Sequence, residues 1–91
     1  MPIEVQIPTP LRPQTDGLDS IDAAGATVQA VLADVISRYP ALKDRLFDDV
    51  GQPRRFINFF INDEDIRFLD GMETAVKDGD SLAIIPAVAG G

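Results

Sequence analysis

A single amphipathic helix constrains this chain more than any other feature. Val28, Val31, Leu32, Val35, Ile36 and Tyr39 recur at the spacing of one helical face. Thr27 stands where an N-cap belongs, Arg38 places positive charge in the last turn, and Pro40 ends the helix near Tyr39. The stripe reads as the core-facing side of a helix packed on a sheet. Ala41 to Asp49 adds a short helical turn at most.

The strands that would form this sheet are legible on both sides of the helix. Ile3-Glu4-Val5-Gln6-Ile7 alternates with period two, as a half-buried strand does. Pro8, Pro10 and Pro13 exclude a central strand and any helix, which predicts a kinked extended connection. Asp16-Gly17 signals a turn into a return strand over Leu18 to Asp22. Phe56 to Ile61 is aromatic and β-branched throughout, Asn62 to Asp65 is a polar turn, and Ile66 to Phe68 a short return strand. Asp70-Gly71 turns the chain into a brief apolar passage from Met72 to Val76, and Asp78-Gly79-Asp80 precedes a final strand, Ser81 to Ile85. The order β-β-α-β-β-β predicts an α+β domain, a mixed sheet of about five strands with one main helix on one face. That is the ubiquitin-like β-grasp arrangement. The expected organisation is a domain over residues 1–86 and a flexible tail over residues 87–91.

Composition narrows the function. The chain has no cysteine and no histidine, so thiol nucleophiles, imidazole bases and cysteine zinc sites are all excluded. At 91 residues it holds one core. Fifteen acids against eight bases give −7, a poor surface for nucleic acid and a favourable one for basic protein partners. No apolar run approaches the length of a membrane span, and Met1-Pro2-Ile3-Glu4 carries no secretory pattern, so no membrane association and a cytoplasmic location are expected. Asp63-Glu64-Asp65, Asp78-Gly79-Asp80 and Asp48-Asp49 lack the spacing of a calcium loop and read as turns, so no metal site is expected. Arg54-Arg55 is too small a patch for nucleic acid; it reads as a solvated strand entrance or a contact for an acidic partner.

The remaining candidate is the end, Gly90-Gly91. Without side chains the main chain can enter a channel too narrow for any Cβ, and the final carboxylate is unhindered. The five residues from Ala87 span at most ~17 Å when extended, enough to reach into a partner while the domain stays outside. The alternative is an incidental small-residue terminus.

The run from Asp78 to Gly91, with Gly79-Asp80 before the last strand and Pro86-Ala87-Val88-Ala89-Gly90-Gly91 after it, resembles the C-terminus of the MoaD/ThiS sulfur-carrier family. Element order matches over the whole length. Asn62 to Phe68, together with Ile85 to Gly91, is most similar to the CysO branch, carriers for cysteine biosynthesis. A molybdopterin-synthase small subunit more typically has two prolines where this chain has Pro86-Ala87. The resemblance implies that an E1-like enzyme adenylates Gly91 with ATP and that sulfur then replaces one oxygen to give a thiocarboxylate. It further implies sulfur transfer to an activated serine derivative on a cysteine synthase, and release of the product by a metallopeptidase. Val88, Ala89 and Gly90 would thread the tail, no cofactor would be bound, and the chain would be a cosubstrate rather than an enzyme. Rival readings are a ubiquitin-like modifier joined to lysines through Gly91, the molybdopterin-synthase subunit, and a plain interaction domain.

The sheet should also offer a docking face. Asn58 marks the solvent side of the third strand, which places Phe56 and Phe60 there and Ile57, Phe59 and Ile61 in the core. Ala83 and Ile85 would share the open face if Leu82 and Ile84 meet the helix, with Arg67 nearby to pair with a partner carboxylate. The alternative is a sheet covered on both faces.

Overall fold

The computed structural model describes residues 2–86. The first strand, β1 (Ile3–Gln6), and the second, β2 (Ser20–Ala23), pair antiparallel, Val5 opposite Ile21. Helix α1 (Val28–Arg38) follows, then a short α2 (Lys43–Leu46), β3 (Ile57–Ile61), β4 (Glu64–Asp65) and β5 (Ser81–Pro86). The sheet order is β2-β1-β5-β3-β4, with β5 parallel to β1 and antiparallel to β3. The last strand thus lies at the centre, held by ladders on both sides.

Helix α1 forms as its sequence dictates. The Thr27 hydroxyl accepts from the Ala30 backbone N–H at 3.2 Å, filling one of the orphan donors of the first turn. Its buried face, Val28, Val31, Leu32 and Val35, meets the inner face of the sheet, where Val5, Phe59, Leu82 and Ile84 are buried. Burying each such side chain contributes about 1.5–3 kcal/mol, which makes this layer the main source of stability. Asp34 accepts from the Ala24 backbone N–H at 2.9 Å, and Arg38 donates to the Asp22 carbonyl at 2.7 Å. These bonds tie the helix to the end of β2. Gly25 is needed between them: a Cβ there would lie 2.7 Å from the Val31 backbone nitrogen and 2.9 Å from the Ala30 carbonyl carbon.

Several local expectations change. The proline-rich segment is a 3-10 helix, Thr9–Thr15, rather than an extended connection. Proline at its start has no N–H to lose that the turn would use, and the first turn closes through Leu11 N–H to the Pro8 carbonyl at 2.9 Å. The return strand after the Asp16-Gly17 turn runs from Ser20 to Ala23, two residues later than its expected start. The polar turn after β3 is only Asn62-Asp63, both with positive φ (49° and 72°), the geometry of a tight hairpin. The return strand is therefore Glu64–Asp65, and Ile66–Phe68 is a 3-10 turn capped by the Asp65 carboxylate. Asp65 is thus no turn residue. Gly71–Glu73, within the expected turn and apolar passage, forms another 3-10 turn.

Candidate functional site

Alternation along three strands fixes which side chains reach the uncovered face. On β3, Ile57, Phe59 and Ile61 are buried while Asn58 and Phe60 are half-buried on the other side. On β5, Leu82 and Ile84 are buried, Ala83 is half-buried and Ile85 exposed. The sheet therefore has one core face and one open face. Register sets Phe60 beside Ala83 and Asn58 beside Ile85, and sets Gln6 on the far side of Ala83. Ala83, the smallest of these side chains, lies between two shallow hollows. One, about 380 Å³, includes Phe60, Asn62, Gln6 and Glu4; the other, about 420 Å³, includes Ile85, Gln6, Arg12 and Ser20. A partner could seat a side chain on either flank of Ala83 and cover Phe60 or Ile85.

Phe60, Ala83 and Ile85 are thus brought together as the sequence predicts, whereas Phe56 and Arg67 stand apart. Phe56 precedes β3 in a turn, so strand alternation does not place it; it is 46% exposed and lines a hollow beside Pro86 with Arg45 and Arg54. Arg67 follows β4 in the 3-10 turn and is engaged within the chain. Its Nη2 lies 2.6 Å from Asp65 Oδ2, and its Nε 3.0 Å from the same oxygen. The guanidinium bonding to Asp65 holds that carboxyl below the ordinary carboxylate value, and the carboxylate in turn raises the Arg67 pKa. Arg67 therefore already has a carboxylate partner.

Sequence reasoning missed the clasp at the start of β5. Asn62 Nδ2 donates to Asp80 Oδ1 at 3.0 Å, and Asn62 Oδ1 accepts from the Ser81 backbone N–H at 3.0 Å. The Lys77 N–H donates to Asp80 Oδ2 at 2.8 Å, and Gly79 takes φ +90°, which favours a residue without Cβ. The Gly79-Asp80 pair thus fixes where the central strand begins. The hydrogen bond from Asn62, then that from Lys77, holds the Asp80 carboxyl below its ordinary 3.8. Such a group stabilises the fold fully above its unfolded pKa and loses that contribution as pH falls through the lower, folded value. Asp80→Asn is expected to lower the melting temperature at neutral pH and to flatten the loss of stability below pH about 4. An unchanged melting profile across that range would mean that the clasp does not hold the strand.

Among the described residues no group of His, Cys, Asp or Glu could hold a metal ion, and no helix is long and apolar enough to cross a membrane. The expected reacting end, Val88 to Gly91, lies outside the described residues, which end where β5 does.

Residues 5–91 match the profile of the ThiS family. The chain belongs to the ThiS family. This ThiS-family chain is 48% identical to the sulfur carrier protein CysO of Mycobacterium tuberculosis over 93 aligned residues, covering all of both chains. Among solved structures it is similar to a chain of the Amycolatopsis orientalis BexX/CysO complex, with TM-score 0.90, 52% identity, and coverage of 98% of this chain and 99% of that one. It is also similar to small archaeal modifier protein 1 of Methanosarcina acetivorans, with TM-score 0.85 and 35% identity over 98% of this chain and 95% of that one. The β-grasp fold is shared with these neighbours. The ThiS-family chain is a small sulfur-carrier protein, not an enzyme.

Proposed function

We propose that this carrier works through the carboxylate of Gly91, which a partner activates and converts to a thiocarboxylate, and that the sulfur is destined for cysteine. The observation that carries the reading is the family match running through residue 91, joined to 48% identity over the full length with the CysO carriers. The geometry supports it. The tail follows directly from the central strand, whose last residues, Ile84 to Pro86, are held by the β3 ladder and whose earlier residues are held by β1 as well. Phe60, Ala83 and Ile85 on the same strands offer a partner a surface close to the tail's root.

The chemistry then follows from what a carboxylate lacks. Oxide is too poor a leaving group for sulfur to displace. A carboxylate oxygen of Gly91 attacks the α-phosphorus of ATP on an E1-like partner, expelling pyrophosphate. Hydrosulfide, delivered by the partner, next attacks the acyl carbon and AMP leaves, giving the thiocarboxylate. That sulfur attacks the β-carbon of an activated serine derivative on a cysteine synthase, where the activating group leaves and a thioester results. The amine of the new cysteine then attacks the acyl carbon, shifting the acyl group from sulfur to nitrogen, and a metallopeptidase hydrolyses the amide to free cysteine and restore the Gly91 carboxylate. The carrier binds no cofactor in this scheme; ATP is consumed by the partner. An enzyme that catalyses carrier-dependent exchange of pyrophosphate into ATP should be recoverable from the source cells by affinity to this chain. Lack of any such exchange in those cells would overturn the proposal.

A second reading has an observation of its own, the likeness to small archaeal modifier protein 1. The same activated Gly91 would then be joined to protein lysines, and fragments carrying Gly90-Gly91 on lysine would reveal it.

A further inference from the structure

Against the negative charge of the whole chain, its arginines are unevenly placed. Arg38 is paired with Asp34 at 3.2 Å on α1. Arg45, Arg54 and Arg55 are in no ion pair among the described residues, and they gather where the last strand ends. Arg45 and Arg54 line the hollow of about 460 Å³ that also includes Phe56 and Pro86. Arg54 and Arg55 line the neighbouring hollow of about 380 Å³, whose lining also includes Arg67, already paired with Asp65. The two hollows share Arg54 and Ile57, so Arg45, Arg54 and Arg55 line a continuous stretch of surface that reaches Pro86 at the root of the tail. Arg54 is held in place by its Nε, which donates to the Asp44 carbonyl at 2.7 Å. Asp44 lines the first hollow too, one acid against this group of bases. The open face away from the tail has the opposite sign, with Glu4 directly opposite Asp22 and Asp63 nearby.

We infer that the Arg45–Arg54–Arg55 strip is a docking surface for carboxylates at the rim of the partner site that receives the tail. This rests on the proposed tail chemistry for the partner's identity, though not for the charge preference. Any protein that takes in residues 87–91 must approach Pro86, because five residues extend at most ~17 Å. Its rim then faces this strip, and arginine forks match carboxylates in bidentate geometry. A duplex or single-stranded nucleic acid is disfavoured by the −7 net charge, which repels a phosphate chain beyond these few contacts. The carrier is therefore polar as a ligand. It presents a basic stretch on one side of the tail's root and an acidic field farther out, so that a partner with acid at its channel mouth and base beyond it orients the tail before contact.

Two measurements on the full chain test this separately from the tail chemistry. In the first, a short polyglutamate peptide is titrated into the isotope-labelled protein at low salt. The Nε–H signals of Arg45, Arg54 and Arg55 should shift, and a polylysine peptide should leave them in place. No shift with polyglutamate overturns the inference, as does a larger shift with an oligonucleotide of equal charge. In the second, Arg45→Glu/Arg55→Glu is compared with wild type in carrier-dependent pyrophosphate exchange. KM for the carrier should rise about tenfold per reversed charge with kcat unchanged, and the wild-type KM should increase with salt. Lys77→Glu, which makes the charge change of one such reversal near the start of β5, should leave KM close to wild type. Equal effects at Lys77 and on the strip would show a net-charge effect and overturn the inference. Absence of exchange with the wild-type chain would instead overturn the proposed function, leaving the peptide titration to decide the strip.

Discussion

Deletion of Gly91 is expected to abolish carrier activation while leaving the fold intact. The ladders of β5 end at Pro86 and the buried core of the described domain lies between Ile3 and Ile84, so the fold is expected to stand without the last residue. In the proposed chemistry, activation by contrast requires the carboxylate at the α-phosphorus. Removing one residue withdraws it by ~3.5 Å, about the whole separation at which reacting atoms must be held. Pyrophosphate exchange should fall to background and the melting temperature should stay within a degree or so of wild type. Exchange that persists with the shortened chain would show that the end is not the reacting group. Gly90→Ala is a milder probe of the same idea: it keeps the length and adds one Cβ where a narrow channel would exclude it.

The second large effect divides two neighbouring phenylalanines. Phe59 is 3% exposed in the layer between sheet and α1, and its β5 partner Ile84 is equally enclosed. Phe59→Ala should cost about 3–5 kcal/mol of stability, much of what so small a domain has. Phe60 is next in sequence but on the open face, beside Ala83. Phe60→Ala should leave the melt nearly unchanged and weaken partner binding by about 2 kcal/mol or more, roughly thirtyfold. Thermal melts and binding titrations on both variants check this. Collapse of the Phe60 variant with mere loss of binding in the Phe59 variant would contradict the face assignment.

That assignment was legible because Asn58 is a polar residue inside an otherwise apolar strand, and period-two alternation carries its side to every neighbour. Helix α1 was legible for a similar reason: six apolar residues at one spacing, a hydroxyl before them and a proline after. Boundaries that depend on turn chemistry were harder. Asn62 and Asp63 adopt left-handed backbone without glycine, so a two-residue hairpin read as a four-residue loop and displaced β4. Prolines at Pro8, Pro10 and Pro13 read as helix breakers, which holds for an α-helix interior and not for a 3-10 segment begun by proline. The least legible features join distant residues. Asn62 and Asp80 are 18 apart, and the need for Gly25 arises only once α1 packs back against it. The arginine strip has the same character, since Arg45, Arg54, Phe56 and Pro86 meet only through the fold.

The central claim concerns one atom, an oxygen of the Gly91 carboxylate. Intact-mass analysis of the carrier isolated from its own cells, grown with ample sulfur and kept from hydrolysis during purification, addresses it most directly. A fraction of the molecules should carry the mass increment of one oxygen replaced by sulfur, and fragmentation should place that increment on Gly91. A carrier population with only unmodified carboxylate under those conditions, in cells that retain the activating enzyme, would contradict the account.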